Sequence, residues 1–324
     1  MTALALCRFA HFLGAMLAFG MSAYLWAYAP ERLRLALSPV VRRLALIASL
    51  VALITAIAWL ALESASMADD WNAAIDPEAI GAVLTDTAFG HVWAAHLTLA
   101  AALVAVVVLE PSAIRSNRLG VPISLLSRAF RERPASTFSQ RASGPRARWA
   151  ATSLVSAALL ASLGLVGHAA MQSGAEGVLH RANHIVHLLT AGAWIGGLVP
   201  FAMCLGAYER NDLRRDAVRA MAGFSFWGQF IVAAIVLTGA VNIALTSHHA
   251  PIPPTTPYRA LLSAKIIIVG IMISLALFNR FVLAPRLKTS ATALATLRAT
   301  SVAEIALGCV VIAVVSVFAL FDPA

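Results

Sequence analysis

Eight apolar runs of membrane-spanning length, at 9–29, 41–62, 88–109, 149–171, 182–206, 220–246, 258–283 and 300–321, decide what this chain can fold into. A helix rises about 1.5 Å per residue and the hydrocarbon core is about 30 Å thick, so each run can cross alone. The runs are too long and too evenly apolar for barrel strands, and backbone in lipid must satisfy itself internally. The 324 residues are 60% hydrophobic and only 12% charged, where a soluble domain carries roughly 25% charged residues. The expected fold class is all-α: a polytopic membrane helical bundle of about eight helices, forming one integral membrane domain over 1–324.

The net charge of +9 invites a nucleic-acid reading, but the basic residues lie between apolar runs without aromatic interleaving, so no nucleic-acid partner is expected. Their distribution is topological. Arg32, Arg34, Arg42 and Arg43 occupy the first connection. Arg115, Arg118, Arg128, Arg131, Arg133, Arg141, Arg146 and Arg148 occupy the third. Arg210, Arg214, Arg215 and Arg219 lie in or beside the fifth, and Arg280, Arg286, Lys288 and Arg298 in or beside the seventh. The second connection is acidic instead, with Glu63, Asp69, Asp70, Asp76, Glu78 and Asp86. Basic residues mark the cytoplasmic side, so both termini are expected on the periplasmic face of a bacterial inner membrane. Residues 110–148 read as a basic cytoplasmic loop on anionic lipid, between two four-helix halves. Ala27-Tyr28-Ala29 resembles a signal-peptidase site, but the stretch from Phe9 is bilayer-long and Pro30 follows the cut. The first run is expected to remain as a helix.

With that orientation all nine histidines fall in the outer half. His11 lies in the first run, His91 and His96 open the third, His168 closes the fourth, and His180, His184 and His187 open the fifth. His248 and His249 follow the sixth as an outer capture pair. His180, His184 and His187 stand at i+4 and i+3 spacing and share one helical face, and His168 with Met171 is an i+3 pair. His91 and His96 are five apart and point about 140° away from each other. Imidazole and thioether ligands suit soft or borderline metals, copper above all. Each histidine taken singly is more often an interfacial polar residue than a ligand; their common level is what argues for a metal.

Cys7, Cys204 and Cys309 are far apart and form no disulfide framework. Asn242, Lys265 and Glu304 are among the polar residues inside later runs; Asn242 suits a hydrogen bond between helices and Lys265 a structural or gating role. Gly192, Gly196 and Gly197 allow close helix approach. No phosphate loop, nucleophile elbow or catalytic carboxylate pair stands out, so an enzyme is not expected.

The stretch His184-Ile-Val-His187-Leu-Leu-Thr-Ala-Gly-Ala-Trp194-Ile-Gly196-Gly197-Leu resembles the copper resistance protein D (CopD) family. Gly167-His168-Ala169, Tyr258-Arg-Ala-Leu-Leu-Ser-Ala-Lys265, Asn279-Arg280-Phe-Val-Leu-Ala-Pro285 and Thr87-Ala-Phe-Gly90-His91-Val-Trp93 are similar to it as well. The likeness is best over 150–320. It implies an inner-membrane copper homeostasis protein that moves copper inward from a periplasmic chaperone of the CopC type. Within these residues no CopC domain is recognisable, so a separate donor is expected. The resemblance marks His168, His184 and His187 as copper contacts, with His96 at the same depth. Capture has more support than passage, because no ladder of deeper ligands is visible. The alternative is a b-type haem carrier, with His96 facing His168 or His187.

Overall fold

The structure, a computed structural model, describes residues 2–109, 135–167, 173–249, 256–287, 289–290, 292–318 and 320–321, without the side chains of 135–143 and 247–249. Among these the fold is all helical: α1 (Thr2–Ala27), α2 (Glu31–Ala68), α3 (Pro77–Asp86), α4 (Ala88–Val108), α5 (Ala135–Ser162), α6 (Gly174–Ala207), α7 (Arg214–His249), α8 (Pro257–Phe278) and α9 (Ala293–Phe318). All but the short α3 are long and apolar enough to cross a membrane. The chain is a polytopic membrane helical bundle.

The helices outrun the apolar segments, and this corrects the reading of two connections. The first connection shrinks to a few residues around Pro30, and Arg32, Arg34, Arg42 and Arg43 lie within the opening turns of α2. A proline before the first turn fits a helix start, where the missing N–H costs nothing. Residues 135–148, expected within a loop, are helical, while 110–134 lie outside the described residues. In the acidic second connection two carboxylates serve as caps. Asp70 accepts from Asn72 N and opens a 3₁₀ turn (Trp71–Ala74), and Asp76 accepts from Glu78 N and opens α3.

α1 is the hub. It packs on α2, α5, α6 and α9, while α4 closes the space between α2 and α5. α7 leans on α6, α8 on α9, and both turn most of their surface outward, as lipid-facing helices do. α8 runs on through a π-helical turn (Asn279–Leu283) and one last turn (Ala284–Arg286). There Asn279 Nδ2 donates to the buried carboxylate of Glu304 on α9, and Thr300 Oγ1 donates to Asn279 Oδ1 at 2.6 Å. Arg280 donates to the backbone and hydroxyl oxygens of Ser225 on α7.

Candidate metal centre

His11 stands nine residues into α1 and His96 eight residues into α4. At 1.5 Å per residue both lie about 12–14 Å along their helices from the N-terminal ends. Both are fully buried, at 0% exposure. Their Nε2 atoms face each other at 3.0 Å.

The opposite nitrogen of each ring is held by a hydroxyl. His11 Nδ1 is 3.0 Å from Thr55 Oγ1 on α2, and His96 Nδ1 is 2.7 Å from Ser162 Oγ at the end of α5. Each hydroxyl also reaches a carbonyl of its own helix: Thr55 Oγ1 to Val51 O at 2.6 Å, Ser162 Oγ to Leu159 O at 2.7 Å. Such back-bonding is an ordinary habit of Ser and Thr in helices. Here it fixes which ring nitrogen each histidine shows its partner. Metal-binding imidazoles are held this way, with the nitrogen away from the metal tied to a neighbouring polar group.

Aromatic rings wall the pair. Trp93 stacks on His96 with centroids 4.5 Å apart, and Trp59 meets His11 edge-on at 5.8 Å. Trp93 Nε1 donates to Ala56 O, so neither indole competes for the imidazoles. Toward the N-terminal end of α1, Trp59 Nε1 donates to Glu63, whose carboxylate lies 3.6 Å from Arg8. The Arg8 guanidinium in turn sits 4.8 Å over the Trp59 ring. Cys7 is spent on Thr55 O at 3.2 Å.

The other sequence-chosen residues fall elsewhere. His91 is exposed and donates from Nε2 to Thr85 O, away from His96. His187 Nδ1 meets Thr238 Oγ1 on α7 at 2.9 Å, and that hydroxyl back-bonds to Ala234 O. Beside it Asn183 Nδ2 donates to Thr238 O and to Asn242 Oδ1, joining α6 to α7. Lys265 lies within electrostatic reach of His184 and His187. His180 is buried on the same helix. His168 and Met171 lie outside the described residues, as do the side chains of His248 and His249.

His96 thus meets His11 on α1, whereas His187 turns to Thr238 on α7. Among the described residues no three His, Cys, Asp or Glu side chains converge on one point. One helical face aligns side chains along an axis and does not make their tips meet; convergence comes from different helices, here α1 and α4. For the haem alternative the described residues offer no support at His96. Its Nε2 is 3.0 Å from His11 and its ring is stacked on Trp93.

Thr55, Ser162, Trp59 and Trp93 were not singled out from sequence. Nothing distinguishes Thr55 or Ser162 from other small hydroxyl residues in apolar runs; Trp93, three residues before His96, carried a faint signal through its place in Gly90-His91-Val-Trp93.

Two family models match the chain. One, described as "Copper resistance protein D-like, N-terminal domain", covers residues 1–129, and one described as "Copper resistance protein D" covers 218–318. The chain is 31% identical over 317 residues to the inner membrane protein YebZ of Escherichia coli (strain K12), covering 98% of this chain and 97% of that one. It is 37% identical over 144 residues to a copper resistance protein D of Pseudomonas syringae pv. tomato, covering 44% and 46% respectively. No solved structure matches.

Proposed function

Because the chain belongs to the copper resistance protein D family, we propose that it is an inner-membrane protein that takes copper from the periplasmic side through His11 and His96. The observation that carries this reading is the pair of buried Nε2 atoms at 3.0 Å, each imidazole braced from behind by a hydroxyl. Two lone pairs facing each other in a dry pocket call for an electrophile between them, either a proton or a metal ion. Imidazole suits copper, and neutral ligands cost less to bury than carboxylates.

The arginine-rich ends set the pair in the outer half, with both termini periplasmic. His184 and His187, with His180, Lys265 and Asn242 near them, give a second polar region for the ion, and His168 is proposed as a further copper contact. The acidic second connection draws cations to the outer surface, and a separate chaperone of the CopC type is the donor this arrangement calls for. Import is the expected direction.

The test is copper retained by protein purified in lipid nanodiscs after copper loading and desalting. Wild type is expected to keep one equivalent that His96→Ala loses. His91→Ala, altering an exposed ring outside the pair, keeps it. Equal retention by His96→Ala and wild type would remove the basis of this reading.

A further inference from the structure

We infer that the His11–His96 pair is a two-coordinate Cu(I) site, and that two hydroxyls are positioning residues that bare both Nε2 atoms: Thr55, whose proton stays on a helix carbonyl, and Ser162, whose proton swings onto one. The inference rests on the reading that the pair takes copper, and goes beyond it to the oxidation state, the coordination number and two further residues.

Proton accounting comes first. Two neutral imidazoles whose Nε2 atoms are 3.0 Å apart must share one N–H between them. Thr55 Oγ1 is closer to Val51 O, at 2.6 Å, than to His11 Nδ1, at 3.0 Å. Thr55 therefore donates to Val51 O and accepts Nδ1–H from His11, which leaves His11 Nε2 bare. His96 then donates Nε2–H to His11, and its own Nδ1 accepts from Ser162 Oγ–H. The empty pair is one continuous chain of hydrogen bonds from Ser162 to Val51 O.

Ser162 Oγ is 2.7 Å from His96 Nδ1 and 2.7 Å from Leu159 O. Its single proton can serve either acceptor without moving a heavy atom. When Cu(I) enters, water arriving with the ion carries the proton from His96 Nε2 to Nδ1, Ser162 turns its O–H to Leu159 O, and Ser162 Oγ accepts Nδ1–H. Both Nε2 lone pairs are then free for the metal and no buried polar group loses its partner. No proton leaves, no electron is transferred, and the net charge rises by the ion's single positive charge.

Ligand number and charge select the ion. Among the described residues two imidazoles converge and no third His, Cys, Asp or Glu joins them. Zn(II) takes four ligands and Cu(II) a tetragonal set, whereas the filled d shell of Cu(I) accepts two in line. Glu63, the carboxylate just outward, is engaged by Trp59 and Arg8 and offers no free anion. With neutral ligands the burial cost grows as the square of the ion's charge, so a dication costs about four times a monocation. Metal–nitrogen bonds of about 2 Å place the nitrogens about 4 Å apart, so the rings must part by about 1 Å.

The test is copper-edge X-ray absorption on the full chain in nanodiscs, loaded with Cu(I) without oxygen, with ¹⁵N-histidine NMR on the same samples. The expected result is two nitrogen neighbours and no sulfur. On loading, His96 changes from the Nε2–H to the Nδ1–H tautomer. Ser162→Ala is expected to weaken Cu(I) binding about tenfold, the effect of one buried N–H left without an acceptor, and Ser162→Thr to restore it. A sulfur neighbour, three or more ligands, an unchanged His96 tautomer, or Ser162→Ala binding like wild type overturns the inference. Copper held as Cu(II) in a His96-dependent site overturns it while leaving the pair as a copper site. Copper of neither state depending on His11 or His96 removes both.

Discussion

Gly20 of α1 and Gly196 of α6 cross backbone against backbone. A methyl group added to Gly196 would stand 2.8 Å from Gly20 Cα, and one added to Gly20 2.5 Å from Gly196 Cα. Neither contact can be relieved by turning a side chain, because the obstructing atoms are main chain. Gly14, earlier in α1, lies as close to α2: its Cβ would meet Ala48 O at 2.7 Å. These two crossings lock α1, and with it His11, at a fixed height against its neighbours. Gly20→Ala and Gly196→Ala are each expected to destabilise the bundle by roughly 1–3 kcal/mol, the range for overpacking. Gly270→Ala, on a face of α8 with nothing within 4 Å, is expected to stabilise by up to about 1 kcal/mol through helix propensity. Thermal unfolding in detergent reads both signs.

Arg34 belongs to α2 but completes the end of α1. Its Nε donates to Leu25 O at 2.8 Å and an Nη to Ala29 O at 2.5 Å. The last carbonyls of a helix lack partners inside it, and Arg34 is itself buried. Arg34→Ala is expected to cost about 1–3 kcal/mol. Arg34→Lys recovers only part of this, since an ammonium cannot reproduce the two-pronged fork. Unfolding midpoints of the three proteins test the order.

Asn183 ties α6 to α7 through Thr238 O and Asn242 Oδ1, and Thr238 holds His187. Replacing Thr238 by Val keeps the shape and removes the acceptor of His187 Nδ1–H. A loss of about 1 kcal/mol is expected, with copper retention at the His11–His96 pair unchanged. A matching loss of copper would place the site on α6 instead.

Glu209 is exposed and receives a hydrogen bond from Arg298 Nη2 at 2.7 Å. That bond, with the positive charge behind it, holds the Glu209 carboxyl below the ordinary glutamate range. A carboxyl depressed in the folded state contributes stability above its unfolded pKa and loses it as pH falls through the folded one. The midpoint difference between wild type and Glu209→Gln is therefore expected at neutral pH, shrinking only below the usual glutamate range and weakening in salt.

How much of this was legible in the sequence depends on which forces act locally. The spanning helices were, because lipid demands about twenty apolar residues whatever the neighbours do. Their ends were not: Arg32 and Arg43 look like loop residues, yet an arginine on the first turns of α2 reaches the aqueous layer without breaking the helix. The level of the histidines could be counted along each run. Their partners could not, because whether His96 faces His11 or His187 depends on which helices touch, and that is decided by crossings such as Gly20 on Gly196. Thr55 and Ser162 matter through hydrogen bonds that no spacing announces.

The most direct measurement of the central claim is a double-mutant cycle of Cu(I) affinity over wild type, His11→Ala, His96→Ala and the double variant, set by competition with a chelator. If one ion sits between the two rings, either substitution destroys the same site, and the double variant binds no more weakly than each single one. Losses that add, or single variants that bind as wild type does, would contradict it.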